Sequence, residues 1–393
     1  MNKENKISQK YRFPKFRNEP AWTERKLSDV LNEHGLKSSG SEEVFSVSVH
    51  KGVINQIEHL GRSFSASNTD NYKRVLHGDV IYTKSPTGNF PLGIIKQSKV
   101  NFPVIVSPLY GVFTPETYGL GYILDAYFES PSNVHNYLSS IIQKGAKNTI
   151  NINNTTFLSK SLFLPKNKDE QQKIASCLSS LDELINAQTQ KLDALKDHKK
   201  GLLQKLFPAE GEIAPKLRFK EFENDGKWEK RSFNSLFEIG NGKDYKHLDK
   251  GEIPVYGSGG YMLSVNDYLY VGESACIGRK GTIDKPMFLT GKFWTVDTLF
   301  YTHSFKDCIP KFIYYIFHNI DWVKHNEAGG VPSLSKTNIY KIEVFVPKPK
   351  EQQKITSCLS SLDDQIAVQV QKIEVLKEHK KGLMQGLFPV INE

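Results

Sequence analysis

The sequence predicts an α+β fold: two mixed α/β domains separated by a pair of long antiparallel coiled-coil helices, with a pseudo-two-fold internal duplication. Three observations lead there. The stretch "EQQKIASCLSSLD" from Glu170 returns as "EQQKITSCLSSLD" from Glu351. Both copies continue into a regular apolar seam. The stretches that precede each copy are strand-rich, punctuated by glycine, and follow one order in each half.

Internal repetition is tested first, because missing it misassigns a whole fold. Over 170–208 and 351–389, 27 of the 39 aligned positions are identical. A weaker echo opens each half, "RFPKFRNEPAWTERKL" from Arg12 and "RFKEFENDGKWEKRSF" from Arg218, which makes Trp22 and Trp228 equivalent. The spacing is too long for a solenoid repeat. It fits duplication of a two-part module whose middle diverged. The expected divisions are 1–164 and 209–346 for the variable domains, and 165–208 and 347–393 for the repeated helices.

The first copy places Ile174, Leu178, Leu181, Ile185, Gln188, Leu192, Leu195, Lys199, Leu202 and Leu206 alternately four and three apart. The second places Ile355, Leu359, Leu362, Ile366, Gln369, Ile373, Leu376, Lys380, Leu383 and Leu387 in the same way. This is a heptad seam. Only Gln188/Gln369 and Lys199/Lys380 interrupt it. Asp169, with Gln172 three residues on, is the expected cap of the first helix, and Pro349 suits the first turn of the second. "LFP" ends both, since proline cannot continue a helix. Each helix spans roughly 35 residues, or about 50 Å. An apolar stripe that long needs a partner, and the other copy, antiparallel, is the economical one. A polar seam residue fixes register at some loss of stability, the role expected of Gln188 and Gln369. The pair reads either as glue between two domains or as a spacer.

In the first variable region "EEVFSVSVHKGVI", "VLHGDVIYTKSPTGNFPLGIIK" and "PVIVSPLYGVFTP" read as strands and turns, and "PSNVHNYLSSIIQKG" as a helix closed by Gly145. In the second, "GEIPVYGSGGYM", "ACIGRKGTI" and "FWTVDTLFYTH" read as strands, and "IPKFIYYIFHNIDWVKHNEAGG" as a helix closed by Gly329. Gly78-Asp79 before "VIYTK" matches Gly272-Glu273 before "SACIGRKG". One α+β fold for both regions follows.

The chain of 393 residues carries a net charge of +9 and a pI near 9.0, which leans toward a polyanionic partner. Its four cysteines form no disulfide framework or CxxC pair. The N-terminus "MNKENKISQK" is polar, without a signal-peptide core, and no run approaches the roughly 18 apolar residues of a membrane span. A reducing cytoplasm is the expected location, with no membrane partner. Candidate nucleic-acid contacts sit on loops: Lys84 and Asn89 in "TKSPTGN", Arg279 and Lys280 in "GRKGT", Tyr256 and Ser258 in "YGSGGY". Arg and Lys contact phosphate or guanine edges and Asn reads adenine. Glycines between aromatics let a backbone approach closely. A lone "GRKGT" is more often a solvated turn; its place after the same Gly–acid strand as "TKSPTGN" is what marks it out. No P-loop, G-x-G-x-x-G or H-E-x-x-H is present, nor the Asp/Asn-Pro-Pro-aromatic motif of amino-methyltransferases. His198 and His379 near the helix ends most simply complement the dipole. These absences point to a binding protein without catalytic or metal-ligating residues.

The segments "PKNKDEQQKI…LD…KKGLLQKLFP" and "PKPKEQQKI…LD…KKGLMQGLFP" resemble the central and C-terminal repeated regions of the specificity subunits of type I restriction–modification systems. "GEIPVYGSGGYM…IGRKGTI…FWTVDTLFY" is similar to one class of that family's target-recognition domains, and "VSVHKGVI…YKRVLHGDVIY…VSPLYGVF" to another. The likeness covers nearly the whole chain, departing only by one residue in the lead-ins 165–170 and 347–351. It implies that each domain reads one half of a split, asymmetric target in double-stranded DNA. It implies that the helices space the domains and dock two modification subunits, which methylate adenine. It also implies partnership with restriction subunits that translocate and cleave. S-adenosylmethionine, ATP and Mg would be bound by those partners and no cofactor by this chain. The competing reading is a tandem α+β scaffold whose domains bind proteins or glycans.

Overall fold

The two repeats form continuous helices, Lys168–Leu206 and Pro349–Leu387, each of 39 residues. A computed structural model describes residues 7–62, 65, 68–144 and 150–391. The heptad positions explain which faces are covered. Ile174, Leu178, Leu192, Ile355, Leu359, Leu362 and Ile373 are buried, and Leu181, Ile185, Leu195, Ile366 and Leu376 are half-buried. The cap of the first helix differs from expectation. Asn167 Oδ1 accepts the N–H groups of Asp169 (2.9 Å) and Glu170 (3.3 Å). The helix thus starts two residues earlier, at Lys168, because Asn is at least as good a cap as Asp. Asp169 lies exposed in the first turn, 3.6 Å from Lys15 Nζ.

The chain divides into two compact units, 1–187 with 373–393, and 188–372. Each unit holds one variable domain and parts of both long helices. In the first, a four-stranded antiparallel sheet runs in the order Leu31–Glu33, Gly111–Pro115, Val80–Tyr82, Ile95–Gln97. In the second, the order is Glu238–Asn241, Leu299–His303, Ser274–Gly278, Met287–Leu289, again antiparallel. The second unit adds the hairpin Lys250–Gly257/Gly260–Val265, whose first strand runs parallel to Lys292–Thr295. The first unit has the same arrangement, reduced. Its hairpin Phe45–Ser48/Gly52–Asn55 meets the Lys73–Val75/Val104–Val106 pair through one parallel bridge, Val44 to Ile105. Two regions with little identity therefore share one topology.

A helix covers each four-stranded sheet: Tyr118–Phe128 against Ile95–Gln97 in the first unit, Pro310–Asn319 against Ser274–Gly278 in the second. The first of these was not expected. Its glycines argue against a helix, yet both are close-approach sites. A Cβ at Gly119 would lie 3.0 Å from the Gln171 backbone, and one at Gly121 would lie 2.5 Å from Gln97 Nε2. The helix expected to close at Gly145 ends at Leu138, and Gly145 lies outside the described residues. The helix expected to close at Gly329 ends at Asn319, because Ile320 turns extended (ψ 134°); Trp322–His325 is a separate 3-10 turn capped by Asp321.

Each unit locks its domain to the long helices with the same buried polar set. Arg12 donates to both oxygens of Glu170 at 2.8 Å, and Trp22 Nε1 donates to Oε1 at 3.2 Å. Arg218, Trp228 and Glu351 repeat this at 2.8, 2.7 and 3.2 Å. Further along, Tyr122 donates to Asp182, which pairs with Lys380 at 2.6 Å. Tyr315 donates to Asp363 at 2.6 Å, and Asp363 pairs with Lys199. The two seam lysines are thus partners of specific carboxylates. In the second unit Gln369 Nε2 donates to the Gln188 carbonyl (2.8 Å) and to its Oε1 (2.9 Å). Numbers rise from 188 to 199 on one helix while their partners fall from 369 to 363 on the other, so the pairing is antiparallel.

Candidate nucleic-acid interface

In the second unit the sheet ends in loops that converge. The hairpin Lys250–Gly257/Gly260–Val265 pairs Gly257 with Gly260, so Ser258 and Gly259 alone make the turn. Gly260 takes φ +115°, a conformation natural to glycine. Ser258 is not free: its N–H donates to Thr298 Oγ1 at 3.4 Å, and its Oγ lies 3.3 Å from where a Cβ on Gly281 would stand. The Arg279 and Lys280 N–H groups both donate to the Thr298 carbonyl, at 2.8 and 3.3 Å. Ser258, Arg279 and Lys280 are therefore brought together around Thr298. Both cationic side chains are exposed. Arg279 leans over the Phe300 ring at 5.9 Å and donates to the Asp297 carbonyl at 3.4 Å. Tyr256 is half-buried, edge-on to the exposed Tyr261 at 6.1 Å. Of the two rings in "YGSGGY", Tyr261 faces outward.

Two further residues belong to this cluster and escaped sequence reading. Lys336 Nζ donates to the Ile239 carbonyl at 2.6 Å and stands over Phe300 at 6.0 Å. Burial, and then the Arg279 charge, lower its pKa. Ser333 bridges Lys280 across the loop 326–334. Nothing in "PSLSKTN" marked them; only the register of that loop brings them in.

In the first unit the equivalent loop is built differently. Lys84 has φ +57° and is half-buried. Burial, and then the Lys73 charge, lower its pKa, with Glu33 opposing them. Asn89 is exposed beside Phe90, whose backbone exchanges two hydrogen bonds with Thr87 at 3.0 and 2.8 Å. The Gly–acid equivalence holds in position but differs in role. Asp79 is 1 % exposed and gathers His34 (2.9 Å), the Leu76 N–H (2.7 Å) and Thr114 (2.9 Å), whereas Glu273 is exposed. Among the described residues no group of three or more His, Cys, Asp or Glu could hold a metal ion. Among them, too, no helix is long and apolar enough to cross a membrane.

The fold and its loop clusters define a class: a duplicated protein in which two like units each carry a loop surface on a helix-braced sheet. The family model for the type I restriction modification DNA specificity domain matches residues 225–378. The chain is 25% identical over 306 residues to a putative type I restriction enzyme MjaX specificity subunit of Methanocaldococcus jannaschii, spanning 70% of this chain and 67% of that one. It is 27% identical over 135 residues to the MjaVIII specificity subunit of the same organism, spanning 32% of this chain and only 29% of that one. Among solved structures, the S subunit of a type I restriction-modification system from M. genitalium superposes over 98% of this chain and all of that chain, with TM-score 0.67 at 15% identity. A chain from a study of complex assembly and conformational transition of the type I R-M system covers 96% of this chain and 99% of its own, with TM-score 0.53 at 13% identity. Residues 225–378 thus match a DNA specificity domain, and the chain as a whole is similar to specificity subunits of type I restriction–modification systems.

Proposed function

We propose that this chain is the DNA sequence-recognition subunit of a type I restriction–modification complex, and that each unit reads one half of a split, asymmetric duplex target. The observation that carries this is the convergence of Ser258, Arg279 and Lys280 on Thr298 at the sheet ends, inside the segment matched by the DNA specificity domain. The chain itself is non-catalytic: it orients a duplex and leaves chemistry to its partners. Two modification subunits dock on it and methylate adenine with S-adenosylmethionine. Restriction subunits supply ATP- and Mg-dependent translocation and cleavage. The long helices act as spacer and docking surface.

The test is reconstitution with modification subunits. Duplex binding should fall steeply as salt rises, because neutralising phosphates releases counterions. The methylome of a host carrying the chain should show one bipartite motif absent without it. Exchanging residues 22–161 for another member's equivalent should change one half of the motif only. Salt-insensitive binding to a protein or glycan, with no duplex binding, would favour the scaffold reading.

A further inference from the structure

The loop 326–334 lies between the Trp322–His325 turn and the Lys336–Lys341 helix. Its C-terminal end is tied to the loop carrying Arg279 and Lys280. The Gly281 N–H donates to Pro332 at 2.9 Å, the Leu334 N–H donates to Arg279 at 2.9 Å, and Lys280 bridges Ser333. Inside the loop Asn326 is a staple. Its Oδ1 accepts the N–H groups of Ala328 (3.1 Å) and Ser333 (2.9 Å), and its Nδ2 donates to the Ala328 carbonyl at 2.9 Å. The Glu327 N–H donates to the Ser333 carbonyl at 3.0 Å, and Glu327 Oε1 accepts the Ser335 N–H at 2.8 Å. These bonds leave a tip of Gly329, Gly330, Val331 and Pro332, all exposed, with Val331 at 57 %.

A loop that only gathers phosphates has no need of a fixed shape, since lysines and arginines reach phosphate from many backbones. Here an apolar tip without bulky neighbours rises from a base closed by hydrogen bonds at 326–328 and 332–335, beside two cations. Two glycines let the chain come close to another surface. The one apolar feature that distinguishes bases in the major groove is the thymine methyl, and small apolar side chains read it.

We propose that the loop 326–334 is a second specificity element of the second unit: Val331 packs on an apolar base edge, of the thymine-methyl kind, beside the Arg279–Lys280 loop, and Asn326 is the positioning residue that holds Val331 there. This rests on the DNA-recognition reading, and the experiment separates the two. The complete complex with modification subunits is assayed for methylated motif and for binding to duplexes with single base-pair changes. Exchange of residues 209–346 first identifies which half-site the second unit reads.

In Val331→Ala and Val331→Ser, discrimination at one position of that half-site should fall roughly 5- to 100-fold, the span of one base contact. The other half-site and the salt slope should not change. Asn326→Ala should relax the same position. Asn326→Asp, which keeps the acceptor for the Ala328 and Ser333 N–H groups, should recover much of the loss. A wild-type motif and wild-type discrimination in both Val331 variants would overturn the proposal while leaving DNA recognition intact. Equal weakening at every position of both halves would also overturn it. A wild-type complex without sequence-specific binding would instead remove the DNA-recognition reading and this proposal together.

Discussion

Arg218 grips Glu351 with two hydrogen bonds, 2.8 and 2.7 Å long, and the Glu351 side chain is only 2 % exposed. The pair raises the Arg218 pKa, first through that hydrogen bond. Glu351 sits in the first turn of its helix, where a carboxylate also complements the dipole. Removing one partner strands the other: Glu351→Ala should destabilise the second unit by about 3–5 kcal/mol. Glu351→Gln keeps one acceptor oxygen and should lose less. Glu170→Ala should match it in the first unit, since Arg12 and Trp22 repeat the arrangement. Chemical denaturation is the measurement, and a loss under about 1 kcal/mol in both alanine variants would mean these pairs behave as surface ion pairs.

Arg279 and Lys280 are exposed side by side, whereas Lys84 is half-buried. If Arg279 reads a base, Arg279→Ala should weaken binding by about 1–3 kcal/mol and relax one position. Lys280→Ala should weaken all sequences alike and lower the salt slope by about one. Lys84→Ala should do less than either, because Lys84 is half-buried and burial, then the Lys73 charge, already disfavour its charged form. Fluorescence titration of duplexes over a salt series reads all three. Unchanged affinity in Arg279→Ala and Lys280→Ala would take this loop out of the interface.

Burial pushes the Cys276 thiol up to about 12, and it is fully buried in its strand. The thiolate is the reactive form. At pH 8 Cys276 should therefore resist iodoacetamide in the native protein and react at once in denaturant. Cys177 and Cys358, half-buried on the long helices, should label first. Native labelling of Cys276 detected by mass spectrometry would show that its strand opens readily.

The helices were legible because a 3.5-residue period survives any tertiary context, and the strand order because turns between short apolar runs carry Gly and Pro. The heptad seam assigned no role to Glu170 and Gln171 of the opening repeat, or to Glu351 and Gln352 of the second. In the structure Glu170, Gln171, Glu351 and Gln352 are buried. Gln171 takes a bond from Thr117 and donates to the Pro165 carbonyl; Gln352 takes one from the Ile309 N–H and donates to the Pro347 carbonyl. Identity at polar positions in both copies was the available signal: a solvated turn has no reason to keep Glu and Gln in that order. The helix Tyr118–Phe128 stayed hidden because propensity counts its glycines as breakers, while packing against Gln171 and Gln97 requires them. The loop 326–334 was hidden for another reason: hydrogen bonds to Arg279 and Gly281 shape it, and these span some fifty residues of sequence.

One difference between the repeats has a local cause. Gly386 stands where the first copy has Lys205, and a Cβ there would come within 1.9 Å of the Tyr11 ring. The Tyr11 N–H donates to the Gly386 carbonyl at 2.8 Å, as the Leu217 N–H does to Lys205 at 2.9 Å. Gly386→Lys should displace Tyr11 and the pairing of Ile7–Ser8 with Val390–Ile391. Limited trypsin digestion should then cleave after Lys10 faster than in wild type. Lys205→Gly should change stability by only about 1 kcal/mol, the propensity difference. Unchanged digestion in Gly386→Lys would show that Tyr11 has another seat.

The seam pair Gln188–Gln369 supplies the last test. Two amides bonded to each other in a run of Leu and Ile are satisfied in one register only, so Gln188 and Gln369 both replaced by Leu should stabilise the pairing while admitting slipped alignments. Seven residues inserted after Gln188, with seven matching residues just before Gln369, face each other in the antiparallel pair and keep the seam and the Gln188–Gln369 contact in place. They add about 10 Å of helix. If the helices set the separation of the half-sites, the unread gap in the methylated motif should lengthen. About three base pairs, at 3.4 Å each, is the ceiling reached only if the whole rise lies along the duplex. Both half-sites should stay unchanged. An insertion of two residues instead turns the following face by about 200° and exposes Leu192 and Leu195, so that variant should aggregate or fail to bind modification subunits. Methylome sequencing decides between roles. A soluble, active heptad variant with the original gap would leave the helices as docking surfaces and remove the spacer role.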